Sequence, residues 1–177
     1  MLIHLRPTAP TDAPALAAMA GEQRDHLAAW EPERPSSWFT ETGQCEALEQ
    51  AEADRAADRS YAFLITDDAD QLRGRLTLAS VVRGAGQFCS LGYWVAREAT
   101  NCGVATAAVG QALEVAFNEL GLHRVQAEIL PHNDASRWVL QRHGFQRYGL
   151  APQYLKIAGR WQDHEFWQLL TPSGHAQ

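Results

Sequence analysis

Cysteine is scarce in this chain: three among 177 residues, Cys45, Cys89 and Cys102. An odd count without CxxC or paired spacing points to neither a disulfide framework nor a zinc site, and it fits a reducing, cytoplasmic setting. Long apolar runs are missing as well. Nothing approaches the ~18 consecutive apolar residues of a membrane span, and MLIHLRPTAPTDAP lacks the apolar stretch of a signal peptide. A soluble chain without a membrane partner is expected. Basic excess is also absent, since 15 Lys and Arg face 21 Asp and Glu for a formal charge of −6. With no basic run to neutralise a phosphate backbone, nucleic acid is not an expected partner. Internal repeats and low-complexity linkers are lacking too. What is present is 46% hydrophobic residues in a length that favours one domain. Residues 1–171 are read as that domain and 172–177 as a frayed tail.

Leu2 to Leu5 reads as a first strand. Thr11 then suits the N-cap of a helix that runs to Trp30 with a break near Gly21. Pro32 and Pro35 impose an extended loop, and Ser36 or Ser37 is placed to cap a second helix rich in alanine and glutamate. Strands follow at Tyr61–Thr66, Leu72–Val82 and Gln87–Val95, the last two joined by a GAG hairpin tip. Ala105, Ala108, Val109, Ala112, Leu113, Ala116 and Phe117 keep the i, i+3, i+4 spacing of one helix face, so this helix packs on the sheet. Its alanines keep that face thin. Gly121 is placed to end it, and HRVQAEIL forms a strand that Pro131 stops. Asn133 caps DASRWVLQRH, Gly144 ends that helix, and Phe145–Ile157 and Trp161–Leu170 make a last hairpin. Hairpins followed by strand–helix units define an α/β (α+β) chain with a mixed sheet.

The loop TNCGVA, Thr100 to Ala105, lies between a strand and a helix N-terminus, where free backbone N–H groups and the helix dipole favour an anion, naturally phosphate. It is neither a GxGxxG fingerprint nor a Walker loop. Together with the strand LGYWV, the segment ELGLHRVQAEILPHNDASRWVLQRHGF and the closing GRWQDHEFW, this loop resembles the GNAT superfamily of acetyl-coenzyme A dependent N-acetyltransferases, and specifically its RimJ/RimL-type branch. Gly103 and Ala105 take the last two fixed places of that family's Q/R-x-x-G-x-G/A pyrophosphate loop. Thr100, Asn101 and Cys102 depart from it.

The resemblance implies a mixed, mostly antiparallel sheet with splayed central strands and flanking helices. It also implies acetyl-CoA as co-substrate with no metal. Trp94, Val95 and Ala96 would bond the pantetheine arm, Asn101, Cys102, Gly103, Val104, Ala105 and Thr106 would hold the pyrophosphate, and Asn133 would border the site. Ser136 would stand near the departing sulfur. Cys102 at a helix start also invites a nucleophile reading, but direct thioester-to-amine transfer needs none. Asn133 is equally an N-cap.

For the general base, QYLKI offers no carboxylate, which leaves Glu128, Asp163, His164 and Glu31 open. Trp30 and the acidic Glu31 and Glu33 follow the first helix and suit the wall of an acceptor cleft for a cationic amine. Trp30 as a core anchor is the alternative. The expected activity is acyl transfer to a primary amine: a protein N-terminus, as the RimJ/RimL resemblance implies, or else a small amine or aminoacyl antibiotic. A non-catalytic acyl-CoA-binding module is the third reading, and either a monomer or a homodimer is expected.

Overall fold

The computed structural model describes residues 2–171. The expected frayed tail lies outside them. Seven strands form one sheet: β1 Ile3–Pro7, β2 Tyr61–Asp67, β3 Leu72–Val82, β4 Phe88–Val95, β5 Arg124–Ile129, β6 Gln146–Ile157 and β7 Arg160–Leu170. Their order is β1-β2-β3-β4-β5-β7-β6, and every neighbouring pair is antiparallel except β4 with β5. That pair is parallel because a helix, α4 (Val104–Glu114), carries the chain back from the end of β4 to the start of β5.

Strand alternation sorts the core onto two faces. Leu64 packs with Ala13, Leu16 and Leu48 from α1 (Ala13–Glu22) and α3 (Glu41–Ala56). Its neighbours Phe63 and Ile65 join Leu76, Leu78 and the α4 residues Ala108, Val109 and Ala112 on the other face. Ala108, Ala112 and Ala116 are all 0% exposed, so the thin face read from the sequence does bring α4 close to the sheet. The final turn of this helix widens to π geometry over Val115–Glu119.

The helix boundaries differ from the sequence expectation in three places. Asp12, not Thr11, holds the first helix start: its carboxylate accepts the Ala9 N–H at 2.8 Å and is gripped by Arg6 at 2.7 Å. Ser36–Phe39 closes into a 3₁₀ turn, which leaves the extended Thr40 to accept the Gly43 N–H at 3.1 Å and cap α3. The break in the first helix falls at Gln23, between α1 and α2 (Arg24–Leu27). Gln23 there accepts the Arg97 N–H at 2.8 Å and donates to Glu98 at 3.2 Å, which fastens the helix break to the turn that follows β4. The last helix, α5 (Asp134–Arg142), follows β5 as its Asn133 cap requires.

Candidate active site

β4 and β5 pair only from Phe88↔Arg124 to Ser90↔Gln126. Beyond Ser90 the strands part, and the β4 amides on that side lose their strand partner. The Ala96 N–H donates to the Arg73 carbonyl at the start of β3 at 2.8 Å. Since hydrogen-bonding direction alternates along a strand, the Trp94 amide belongs to the same β3 ladder, and Tyr93 and Val95 face the gap. Of the three residues expected from the sequence to offer backbone contacts, Val95 has its amide facing the gap. The Ala96 amide is bonded to Arg73 instead, and the residue is 0% exposed. Trp94 contributes its side chain to a cavity wall.

At the start of α4, Asn101 and Gly103 both take left-handed backbone, with φ of 59° and 78°. Asn is among the few residues that tolerate this conformation, so the chain follows a glycine-like path at Asn101. Gly103 has no side-chain cap, and the first helical bond runs from the Ala107 N–H to the Gly103 carbonyl at 2.9 Å. The amides of Val104, Ala105 and Thr106 are thus left unclaimed by the helix and suit an anion. The Val104 side chain is buried, whereas Cys102 is exposed and makes only a 3.9 Å contact to the Glu98 carbonyl. The His143 Nε2–H donates to the Thr106 carbonyl at 2.8 Å, which clasps the end of α5 to this turn.

A cavity of about 430 Å³ opens where the strands part, and its walls include Trp30, Glu31, Arg34, Trp38, Arg75, Trp94, Glu128, Asn133, Ser136 and His164. Glu128 accepts a hydrogen bond from the Ser90 hydroxyl at 3.1 Å, and burial raises its pKa above the usual carboxylate range. The Tyr93 phenol oxygen is buried without a partner, and burial pushes its pKa up to about 12, with only Ser136 pulling the other way. Asn133 Oδ1 accepts the Ser136 N–H at 3.1 Å, so it is a cap, while its amide NH₂ takes no part in that bond. His164 is 3% exposed, and burial lowers its pKa. Its Nδ1–H donates to the Gln162 carbonyl at 3.0 Å, which leaves Nε2 as the lone-pair nitrogen.

The remaining sequence candidates separate. Trp30 is 39% exposed and stacks on His132 at 5.6 Å, so it is a cavity wall and not a core anchor. Glu31 pairs with Arg34 at 3.5 Å, and its carbonyl accepts the Ala158 N–H at 3.1 Å. Asp163 is not in the cavity: it accepts the Gln153 N–H at 2.9 Å, at a β6 irregularity where Gln153 has φ of 49°, and it faces an outer groove beside His132 and Trp161. Alternation along β7 puts it opposite His164. Sequence reasoning missed Tyr93 and Arg75. The signal for Tyr93 was a phenol beside Gly92 in a mostly apolar strand, and for Arg75 a charge between the buried Gly74 and Leu76 of β3.

A parallel strand pair prised open beside a helix N-terminus, with a partly buried carboxylate and a buried phenol oxygen at the opening, suits an acyltransferase that takes its acyl group from a phosphorylated thioester. The chain belongs to the acetyltransferase (GNAT) domain family, which it matches over residues 3–146. It is similar to the probable N-acetyltransferase YjcK of Bacillus subtilis, with 33% identity over 96% of this chain and 94% of that protein. It is also similar to the ribosomal protein uS5-alanine N-acetyltransferase of Escherichia coli, with 32% identity over 97% of this chain and 86% of the relative. The structure of Mycobacterium smegmatis RimJ in complex with CoA-disulfide superposes with a TM-score of 0.91 at 32% identity, covering 96% of this chain and 82% of that one. The protein is therefore an N-acetyltransferase that uses acetyl-CoA, with the splayed mixed sheet that the sequence resemblance implied. No helix among the described residues is long and apolar enough to cross a membrane.

Proposed function

We propose that the chain acetylates the α-amine at a protein or peptide N-terminus, with Glu128 as general base. The observation that carries this is Glu128 itself, a partly buried carboxylate on the cavity wall where β4 and β5 diverge. Bound acetyl-CoA supplies an acyl carbon activated as a thioester. An α-amine with a pKa of roughly 7.7 to 8.0 is partly neutral near pH 7, unlike a lysine amine near 10.4, so a carboxylate is base enough. Burial raises Glu128 toward that amine, whereas burial lowers His164 and weakens it as a base. His164 shapes the wall beside Tyr154, whose ring it meets edge-on at 5.7 Å. The Val95 and Tyr93 amides face the gap and are the donors for the developing oxyanion.

Tyr93 and Ser136 act at the sulfur side. A phenol at about 12 is a weaker acid than a thiol near 8.5, so Tyr93 holds its proton and donates a hydrogen bond. Asn133 fixes the turn that carries Ser136. Trp30 and Glu31 border the amine's approach. The amides of Val104, Ala105 and Thr106, with the Asn101–Cys102 loop ahead of them, hold the pyrophosphate. The protein acceptor is supported by the relative named for acetylating ribosomal protein uS5 at alanine.

The test is thiol release from acetyl-CoA in the presence of three pools: peptides with free N-termini, the same peptides N-terminally blocked but with free lysine, and small polyamines or amino acids. Turnover confined to the first pool is expected. Turnover of small amines alone would replace the proposed acceptor class.

A further inference from the structure

Arg75 lies mid-strand on β3, with Leu64 on β2 and Trp94 on β4 as its cross-strand partners. The Leu64 pairing puts it on the sheet face covered by α1 and α3, and its side chain lines the acceptor cavity. Its Nε is buried without a hydrogen-bond partner. None of the ion pairs among the described residues includes it. Burial first, and then Arg34, lowers its pKa against the pull of Glu31.

The surroundings are built for a planar partner. Arg34 lies 4.2 Å from the centre of the Trp38 ring and Arg75 lies 5.9 Å from it, so the indole carries both guanidinium groups. The nearby carboxylate, Glu31, is taken by Arg34 at 3.5 Å. Arg34 thus has an ion-pair partner in the wall and Arg75 has none. Glu128, on β5 across the opening, bonds Ser90 instead. A buried charge is costly unless it is paired in the working complex, and a guanidinium fork matches a carboxylate in two parallel bonds. A single unpaired guanidinium, with Glu31 and Glu128 in the same cavity, suits a monoanion better than a phosphate, which carries about −1.5 to −2 at neutral pH.

We infer that Arg75, with Arg34 and Trp38, binds a carboxylate of the acceptor, and that the preferred acceptor is a peptide with Asp or Glu shortly after its α-amine. β3 and β5 flank β4, so Arg75 and Glu128 stand two strand spacings apart, roughly 10 Å or more. An extended chain covers that in about three residues. The acidic side chain therefore belongs at the second or third residue. This inference rests on the peptide-acceptor reading above.

Two peptide pairs test it, alike except for Asp against Asn at the second or the third residue, with kcat/KM measured for each. For the native enzyme, Asp is expected to win by about 10- to 100-fold in one of the pairs, as for a charge-assisted hydrogen bond. Arg75→Gln should lower kcat/KM for the Asp peptide and bring the Asp:Asn ratio toward one. Arg75→Lys should restore part of the ratio. A purely structural role would lower both peptides alike and preserve the ratio, which overturns the inference, as does a native ratio near one. A phosphoserine peptide that outruns Asp overturns the carboxylate assignment. If no peptide turns over at all, the acceptor class itself falls. Melting curves and acetyl-CoA binding of both variants confirm that they are folded.

Discussion

Glu128 is where burial and chemistry meet in one side chain. Its folded pKa is raised, chiefly by burial, so between the ordinary carboxylate value and that raised value the folded state holds more protons than the unfolded one. Stability therefore falls as pH rises through that window and stays lower above it. Glu128→Gln, uncharged throughout, should melt at a higher temperature than the native protein at pH 8, with the gap closing toward pH 4; equal melting temperatures at both would remove the burial penalty. The same change should cut kcat/KM by about 100-fold or more as the base is lost. Tyr93→Phe should behave differently: it removes a buried, unpartnered hydroxyl, so stability should hold or rise while kcat drops. Ser136→Ala should likewise lower turnover more than acetyl-CoA affinity, and an unchanged rate would take Ser136 out of the mechanism. At this scale the sequence displayed residue types but not their company. Glu128, Asp163 and His164 stood as equals in one dimension. Strand parity and a register irregularity at Gln153, visible only once β6 and β7 are paired, turn Asp163 away and leave the other two in the cavity.

The loop ahead of α4 argues at the scale of an element. Thr100, Asn101 and Cys102 depart from the family pattern in chemistry, and the backbone turns left-handed at Asn101, which accepts φ of 59°. Most of the elements were legible for the same kind of reason: glycine, asparagine and proline punctuate the chain, and seven residues in helical register marked α4. The caps at Asp12 and Thr40 were harder to see, because each depends on a partner or a short turn that competes with the more obvious Thr11, Ser36 and Ser37. If conformation and not side-chain chemistry is what the loop preserves, Asn101→Gly should leave the KM for acetyl-CoA close to native. Asn101→Val places a β-branched residue in left-handed backbone, which costs roughly 1–2 kcal/mol, and should raise that KM. Equal KM values for both variants, measured by thiol release, would show that the loop path does not govern cofactor binding.

At the scale of the whole molecule, the sheet is two sheets joined by a short seam. Four antiparallel strands, β1 to β4, meet the β5–β7–β6 unit through only the pairs Phe88↔Arg124, Cys89↔Val125 and Ser90↔Gln126. The clasp from His143 to the Thr106 carbonyl adds a second tie, from α5 to α4. The chain has thus exchanged strand pairing for an open edge, and the Tyr93 and Val95 amides are its exposed cost. A ligand that lies along that edge replaces the missing strand, so its binding energy becomes folding energy, about 2.7 kcal/mol at 100 times its Kd. Saturating acetyl-CoA should therefore raise the melting temperature, and in hydrogen exchange it should slow the Tyr93 and Val95 amides far more than that of Ala96, which already bonds Arg73. Protection spread evenly along β4, or confined to the start of α4, would mean that the open edge is not the cofactor's berth and that the Val95 and Tyr93 amides have no part in holding the oxyanion.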